Sequence, residues 1–243
     1  MKVAIVTGAS RGIGRACALA LGKKGYTVVV NYSSNESKAQ EVLDLIKSYG
    51  SDGMIFKADV SKPEEVKELV KTVYNTYKQI DVLVNNAGIV RDEFILTMSN
   101  ENLDKCFDLN VKGYFYLAQQ VGLKMFRKKS GCIINMSSVS SKLALAGQSV
   151  YSATKGAINS MTQTLAKELG PYGIRVNAIA PGFINTEMIE VLPEDKKEEY
   201  LKNVPLNRFG EAEEVGNLVC ALASDELSYI TGQVIVIDGG LSL

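Results

Sequence analysis

Two side chains that could move a proton lie four residues apart, at Tyr151 and Lys155. Residues with this spacing share one face of a helix, so the phenol and the ammonium would be neighbours there. A nearby cation favours the phenolate and lowers the pKa of a tyrosine from about 10. The pair therefore predicts a proton donor for the reduction of a carbonyl group, or a base for the reverse reaction.

Ser138 could hold the oxygen atom of such a carbonyl group. It follows an apolar run at residues 132–136, which predicts a buried strand. In an α/β sheet the strand ends face the crevice where ligands bind, so the Ser138 hydroxyl is expected beside Tyr151. A Tyr-x-x-x-Lys spacing also occurs by chance on solvated helix faces, so the catalytic interpretation depends on motifs elsewhere in the chain.

A glycine-rich turn lies near the start of the chain. Residues 3–7 have an apolar strand pattern, Gly8, Gly12 and Gly14 follow, and apolar residues then recur at helical spacing. Glycines let the backbone turn tightly and approach a pyrophosphate, and a helix N-terminus offers free N–H groups with a partial positive charge. The pattern favours a dinucleotide site, and a tight turn without a ligand is the alternative.

The end of the predicted second strand indicates which dinucleotide the site would bind. An NAD site usually has an acidic residue there to hold the ribose 2′-hydroxyl. Here the strand ends at Asn31, and the first acidic residue after it is Glu36, while Arg11 and Arg15 are nearby by topology. A 2′-phosphate would be attracted rather than repelled, so NADP(H) is the predicted cofactor.

Composition excludes several other functions. The 243 residues include no histidine, which excludes Ser-His-Asp hydrolysis and most zinc sites, and no metal site is predicted. The 27 basic and 27 acidic residues cancel, so no nucleic-acid or membrane partner is expected. Four scattered cysteines predict no disulfide framework, and there is no signal-peptide or transmembrane pattern, so a cytoplasmic location is expected.

Strand and helix patterns alternate along the whole chain. They predict one α/β domain over residues 1–243, of the Rossmann-type doubly wound class, with a mostly parallel seven-stranded sheet and helices on both faces. Residues 183–209 are polar and only weakly periodic, and they are predicted to form a substrate lid with short helices. Ser61 is the predicted N-cap of the helix whose first turn contains Pro63.

Two asparagine residues each have a functional and a structural interpretation. Asn86, in the Asn-Asn-Ala-Gly segment after the fourth strand, could close on a ribose or brace the sheet. Asn110 lies inside the predicted helical region 100–128, where asparagine is unfavourable, and its amide could bond to the backbone and bend the helix.

Taken together, these motifs resemble the short-chain dehydrogenase/reductase family, and within it the reductases that act on 3-oxoacyl-(acyl-carrier-protein) thioesters. The resemblance spans essentially the whole chain. It is carried by residues 7–14, 85–88, Asn110, Ser138, Tyr151, Lys155, the Pro181-Gly182 pair, residues 230–233 and residues 238–240.

The resemblance implies specific roles. The catalytic residues would be Asn110, Ser138, Tyr151 and Lys155, with Asn110 holding a water of the proton relay and Lys155 also binding the nicotinamide ribose. The substrate would contact Ser138, Gln148 and Tyr151. Asp59 and Val60 would flank the adenine, Asn86 would lie on its ribose side, and Ile184 and Thr186 would contact the carboxamide. The full set of cofactor-binding residues would be Gly8, Ser10, Arg11, Gly12, Ile13, Gly14, Asn31, Ser33, Asp59, Val60, Asn86, Ala87, Gly88, Tyr151, Lys155, Pro181, Gly182, Ile184 and Thr186.

The implied reaction is hydride transfer from NADPH to a 3-keto carbon in fatty acid biosynthesis. Ser138 would position the ketone oxygen, Tyr151 would protonate it, and Lys155 would lower the phenol pKa. The alternatives are an acetoacetyl-CoA reductase, a polyketide-type ketoreductase, and a sugar or steroid dehydrogenase. A nucleotide-binding subunit without catalysis is the alternative from a different class.

Partners are also expected. Apolar residues after the last strand, Leu241 and Leu243, together with the resemblance, predict a homotetramer. An acidic acyl carrier protein would need a basic patch, and residues 127–129 (Arg-Lys-Lys), just before the strand that leads to Ser138, are the candidate. The loop at 170–173 carries no charge, so a CoA thioester stays the alternative substrate.

Overall fold

Seven parallel strands form the central sheet of this computed structural model, which describes residues 2–190 and 193–243. The strands are β1 Val3–Val6, β2 Thr27–Tyr32, β3 Gly53–Lys57, β4 Val82–Asn85, β5 Gly131–Met136, β6 Ile174–Pro181 and β9 Val234–Ile237. Their order across the sheet is β3-β2-β1-β4-β5-β6-β9. Two short strands, β7 Ile184–Asn185 and β8 Gly210–Glu211, pair with each other outside this sheet.

Helices cover both faces of the sheet. They are α1 Gly12–Lys23, α2 Glu36–Ser48, α3 Pro63–Tyr77, α4 Asn100–Phe107, α5 Gly113–Lys128, α6 Ser149–Leu169, α7 Glu187–Glu190, α8 Glu194–Leu201 and α9 Ala212–Ala223. One apolar core lies between the sheet and α1, α2 and α9, and a second lies under α3, α5 and α6. None of the helices in the described ranges is long and apolar enough to cross a membrane.

The central strand shows why these sequences form a sheet that is buried on both faces. Every residue of β1 is apolar and at most 2% exposed. Ala4 and Val6 belong to one core, whereas Val3 and Ile5 belong to the other, as the two-residue period of a strand requires. Burying each Val or Ile side chain contributes roughly 1.5–3 kcal/mol. The predicted fold class is confirmed.

The topology brings the predicted site residues to one edge of the sheet. β1 pairs with β2 on one side and with β4 on the other, so the strand order reverses at β1. Ligands of doubly wound sheets bind at the carboxyl ends of the strands beside such a reversal. The glycine turn after β1, the segment after β4 and Ser138 after β5 all lie at this edge.

The helical region at 100–128 is not one regular helix. It consists of α4, a π-helical segment at Asp108–Lys112 that contains Asn110, and α5. Segments of this kind often mark functional positions.

The region predicted as a lid, 183–209, contains β7, α7 and α8, which agrees with short helices. Positions 191 and 192 of this region lie outside the described residues. Its function as a lid stays a prediction.

Two local expectations are wrong. The N-cap of α3 is Lys62, because Ser61 instead bonds to Asp59 Oδ1 through its backbone N–H at 3.0 Å and its hydroxyl at 2.7 Å. Leu241 is 9% exposed and packs in a small cluster with Val139, whereas Leu243 is exposed as expected.

Candidate active site

The glycine turn after β1 can pack this tightly only because side chains are absent. Gly8 has a φ of +60°, which favours glycine, and a Cβ on Gly14 would lie 2.3 Å from the Gly8 carbonyl oxygen. Arg11 precedes α1 without a side-chain cap, and no acidic residue lies in the first turn of the helix. Free N–H groups and the helix dipole therefore favour an anion here, which fits the pyrophosphate of a dinucleotide.

Asn86 holds this turn in place. Its Nδ2 donates to the carbonyl oxygens of Thr7 and Gly8 at 2.9 and 3.3 Å, and the Thr7 hydroxyl accepts from the backbone N–H groups of Asn86 and Ala87 at 3.0 Å each. Of the two interpretations of Asn86, bracing is the one that the structure displays. A contact with the ribose stays a prediction.

Asn31 supports the turn from inside the protein. It is 1% exposed, its Oδ1 accepts from Gly8 N at 3.3 Å, and its Nδ2 donates to the carbonyl oxygens of Phe56 and Ala58 at 3.2 and 3.0 Å. The side chain thus joins β1, β2 and β3 rather than facing solvent, while Ser33 beyond it is exposed.

The predicted adenine side of the site lies after β3. Val60 is 2% exposed, and Asp59 is half-buried with its carboxylate bonded to Ser61. Gly113 approaches this segment closely, because a Cβ there would lie 2.9 Å from the Val60 carbonyl oxygen.

The segment after β6 packs next to the glycine turn. Pro181 ends β6, and Gly182 lies against Asp238, since a Cβ on Gly182 would be 2.6 Å from the Asp238 Cβ. Thr186 Cγ2 lies 3.8 Å from the position of a Cβ on Gly12. The predicted carboxamide contacts and the predicted pyrophosphate site are therefore adjacent, although they are far apart in sequence.

Asn110 connects two elements that border the site. It is fully buried, its Oδ1 accepts from Ile89 N and its Nδ2 donates to Ile89 O, both at 2.8 Å, and Nδ2 also lies 3.3 Å from Thr154 Oγ1. The amide thus bonds to backbone, but to the loop after β4 rather than to its own helix. Its role in holding a water stays a prediction.

Tyr151 and Lys155 lie in the first two turns of α6, as their spacing predicts. Lys155 is 3% exposed, and its Nζ donates to the carbonyl oxygen of Met136 at 2.7 Å. The same Nζ lies 5.6 Å from the centre of the Tyr151 ring and 5.3 Å from that of Tyr114. The ammonium is therefore held by the end of β5 and packed between two aromatic rings.

Burial shifts the pKa of both groups, in opposite directions. It raises the pKa of Tyr151 to about 12 and lowers the pKa of Lys155 to about 7, because each charged form loses hydration. A hydrogen bond with Ser138 lowers the Tyr151 pKa, but by less than burial raises it. The expectation that Lys155 lowers the phenol pKa below 10 is wrong for this structure. The phenol keeps its proton at neutral pH, which is the form that a proton donor requires.

Ser138 begins a chain of hydrogen bonds that reaches the surface. Its hydroxyl donates to Ser140 Oγ at 3.2 Å, Ser140 Oγ donates to Gln148 Oε1 at 2.9 Å, and Gln148 Nε2 donates to Asp92 Oδ2 at 2.9 Å. A carboxylate only accepts, so Asp92 sets the orientation of the Gln148 amide. Ser138 and Gln148, both predicted to bind substrate, belong to one network that Ser140 connects.

Sequence reasoning missed two residues that position this set. Asn159 Oδ1 accepts from Ser137 Oγ at 2.6 Å, and Asn159 Nδ2 donates to Ser141 Oγ at 2.8 Å. Ser141 in turn donates to the Ser138 carbonyl oxygen at 2.7 Å. The spacing from Lys155, four residues, could have indicated Asn159. Tyr114, whose hydroxyl donates to Met136 O at 3.2 Å, has no comparable signal in the sequence.

A groove with several apolar side chains is lined by residues that neighbour Ser138 and Tyr151 in the chain, Ser140 and Ser152. Its volume is about 460 Å³. Its lining includes Phe94 and Ile95 from the loop after β4, Leu143 and Leu145 from the loop after β5, and Ser152 from α6. Its polar side chains are Ser140, Ser141, Lys142, Ser149 and Ser152, so the groove offers both apolar walls and hydrogen-bonding groups.

The basic cluster at residues 127–129 lies at the other edge of the sheet. It precedes β5, whereas Ser138 follows β5, and a six-residue parallel strand separates the two edges by about 20 Å. Lys128 is moreover bonded to Asp81, whose other carboxylate oxygen accepts from Val3 N at 2.7 Å. Within one chain the cluster is therefore distant from Ser138, and its docking of a carrier stays a prediction.

The chain is similar to known proteins over almost its whole length. A family model described as "Enoyl-(Acyl carrier protein) reductase" matches residues 8–242. A solved structure of a short-chain dehydrogenase/reductase from Serratia marcescens, a double mutant, has a TM-score of 0.94 and 30% identity, and the match covers 100% of this chain and 98% of that one. The chain belongs to the short-chain dehydrogenase/reductase family.

Curated relatives within this family share more of the sequence. A Staphylococcus epidermidis protein named 3-oxoacyl-(acyl-carrier-protein) reductase FabG is 45% identical over 240 residues, with 99% of this chain and 98% of that protein covered. A Thermotoga maritima protein of the same name is 45% identical over 246 residues, with 99% and 97% covered. In this chain the predicted residues Ser138, Tyr151 and Lys155 lie together at the carboxyl end of β5.

Proposed function

We propose that this chain reduces a 3-oxoacyl thioester carried on an acyl carrier protein to the 3-hydroxyacyl thioester, with NADPH as the electron donor, in fatty acid biosynthesis. The observation that carries the proposal is that Ser138, Tyr151 and Lys155 converge at the carboxyl end of β5, in a fold whose glycine turn after β1 favours an anion. The names of the curated relatives support the same reaction.

NADPH supplies a hydride when it is bound. The glycine turn would hold its pyrophosphate, and Arg11 would attract its 2′-phosphate. Lys155 would bind the nicotinamide ribose, with Ile184 and Thr186 at the carboxamide.

The side chains of the site would handle the proton. The Ser138 hydroxyl would exchange its bond to Ser140 for a hydrogen bond to the ketone oxygen and thereby orient that oxygen towards Tyr151. The phenol, protonated at neutral pH, would transfer its proton to that oxygen as negative charge develops there. Asn110, buried between the β4 loop and α6, would hold a water that returns the proton.

The apolar walls of the groove are compatible with an acyl substrate. The walls at Phe94, Ile95 and Leu143 could bury methylene groups, and each buried methylene contributes about 0.8 kcal/mol.

NADPH oxidation tests the function directly. We expect turnover with 3-oxoacyl thioesters on an acyl carrier protein, slower turnover with the CoA thioesters, and little with cyclic ketones or simple sugars. Equal or faster turnover of sugars would contradict the proposal, and a preference for CoA thioesters would favour an acetoacetyl-CoA reductase.

We also propose a cytoplasmic homotetramer. Phe115, Leu123 and Phe126 are exposed on α5, and Leu243 is exposed at the end of the chain. Exposed apolar side chains grouped on one helix are typical of subunit contacts. Light scattering at micromolar concentration tests this, and a monomer would contradict it.

A further inference from the structure

Glu187, the first residue of α7, lies between two cations that come from separate elements. Its Oε1 is 2.5 Å from Lys38 Nζ, and its Oε2 is 3.5 Å from Arg11 Nη1. The opposite charges lower the pKa of the Glu187 carboxyl, so it is ionised at neutral pH.

The two cations lie where the adenosine end of a dinucleotide would be. Arg11 precedes α1 in the glycine turn, and Lys38 lies in the first turn of α2, directly after the loop that follows β2. In Rossmann-type sheets the end of this strand receives the adenosine ribose. Lys and Arg bind phosphate oxygens and carboxylate oxygens by the same charge-assisted hydrogen bonds.

We propose that Glu187 occupies the subsite of the cofactor's 2′-phosphate, that Lys38 and Arg11 form this subsite, and that Glu187 leaves it when NADP(H) binds. The proposal rests on the NADP(H) preference put forward above. Lys38 is then a residue that determines cofactor specificity, and Glu187 is an internal competitor of the phosphate.

The competition links the cofactor to the segment over the site. Glu187 follows Thr186, whose methyl group lies beside Gly12. A 2′-phosphate that displaces the carboxylate would release α7 from α1 and α2 before a substrate arrives. NAD(H), which lacks this phosphate, would leave the two ion pairs intact.

The test uses 2′,5′-ADP and 5′-AMP as ligands, because neither carries the nicotinamide that would contact Ile184 and Thr186. Calorimetry on the full chain gives both dissociation constants for the wild type, Glu187→Gln and Lys38→Gln. Glu194→Gln is the matched control, because Glu194 is also an exposed carboxylate of the 183–209 segment but pairs with Lys197 at 2.8 Å.

Each substitution has its own expected effect. Glu187→Gln should tighten 2′,5′-ADP binding about twofold to fivefold, the scale of an exposed ion pair, and should leave 5′-AMP unchanged. Lys38→Gln should weaken 2′,5′-ADP binding, and the double variant should lose most of the gain from Glu187→Gln. Glu194→Gln should match the wild type.

The contrary outcomes separate the two proposals. A wild type that binds both ligands equally would overturn the NADP(H) preference and this inference with it. A wild type that prefers 2′,5′-ADP, together with unchanged or weaker binding by Glu187→Gln, would overturn this inference alone. Hydrogen exchange adds a second measurement, because 2′,5′-ADP should speed exchange in α7 of the wild type and 5′-AMP should not.

Discussion

The ammonium of Lys155 donates a 2.7 Å hydrogen bond to the carbonyl oxygen of Met136, at the end of β5. The hydroxyl of Tyr114 donates to the same oxygen at 3.2 Å. Lys155 is thus oriented by the strand that leads to Ser138 and not by the phenol oxygen of Tyr151. The backbone of β5 fixes the serine and the lysine of the site relative to each other.

The buried Lys155 should make stability depend on pH. Its folded pKa of about 7 lies below the ordinary 10.5, so between these values the unfolded chain binds more protons than the folded chain. The free energy of unfolding should therefore rise with pH through this window, by up to about 1.4 kcal/mol per unit. Tyr151, with a folded pKa of about 12, should reverse the trend between pH 10 and 12.

Urea unfolding from pH 6 to 10, at a fixed protein concentration, measures this effect against Lys155→Met. The difference between the two proteins should change in favour of the wild type as the pH rises from 7. Parallel curves would mean that Lys155 keeps its charge in the folded protein.

Tyr151→Phe should abolish most of the reduction. The substitution removes the hydroxyl and keeps the ring against Lys155. The turnover number should fall by at least the roughly 10²-fold that a general acid contributes. Fluorescence titration should show that NADPH still binds, and near-wild-type turnover would exclude Tyr151 as the donor.

The sequence was sufficient for features that depend on local spacing. The apolar run of β1, the glycine turn and the four-residue step from Tyr151 to Lys155 each follow from neighbours in the chain. Contacts between distant segments were not predictable in this way. Asn110 bonds to Ile89 across 21 residues, and Lys38 meets Glu187 across 149. The direction of the Tyr151 pKa shift was not predictable either. The shift is set by burial, which depends on the whole fold, whereas the Tyr-x-x-x-Lys spacing indicates only that a positive charge is near.

Asn159→Leu tests whether Asn159 positions the catalytic residues or only stabilises the fold. It removes the bonds to Ser137 and Ser141, and each such bond contributes about 0.5–1.5 kcal/mol. We expect a modest loss of stability, a larger fall in kcat than a rise in KM, and an unchanged NADPH dissociation constant. Ser160→Ala, on an exposed position of the same helix, is the control. A variant that only melts earlier, with normal kcat, would argue against a positioning role.

Ser33→Asp should shift the cofactor preference from NADPH towards NADH. Ser33 is exposed after β2, and a carboxylate there would repel a 2′-phosphate and could accept a hydrogen bond from a 2′-hydroxyl. The ratio of kcat/KM for the two cofactors measures the shift. Asn75→Asp adds the same charge on the exposed side of α3 and should leave the ratio unchanged. Equal values of kcat/KM in the wild type would contradict the proposed preference for NADPH.

Replacing Arg127 and Lys129 by Glu tests docking of the carrier protein. Lys128 is spared, because its bond to Asp81 supports the start of β1. If the cluster binds an acidic carrier, KM should rise for the carrier-bound substrate and stay constant for small thioesters, and the wild-type preference should fade as salt rises. An equal change in KM for both substrates, or no change, would mean that the cluster does not bind the carrier protein.

The position of the cluster adds a sharper expectation. About 20 Å of β5 separates it from Ser138 of the same chain, so a carrier on the cluster could instead serve the site of another protomer in the proposed tetramer. Mixed oligomers can detect this. Subunits with Arg127→Glu and Lys129→Glu keep a working site, and subunits with Tyr151→Phe keep the cluster. The charge-reversed parent should turn over with a high KM for carrier-bound substrate, and the Tyr151→Phe parent should show little turnover. A mixture of the two should turn over with a low KM. A mixture with the same KM as the charge-reversed parent would exclude docking between protomers.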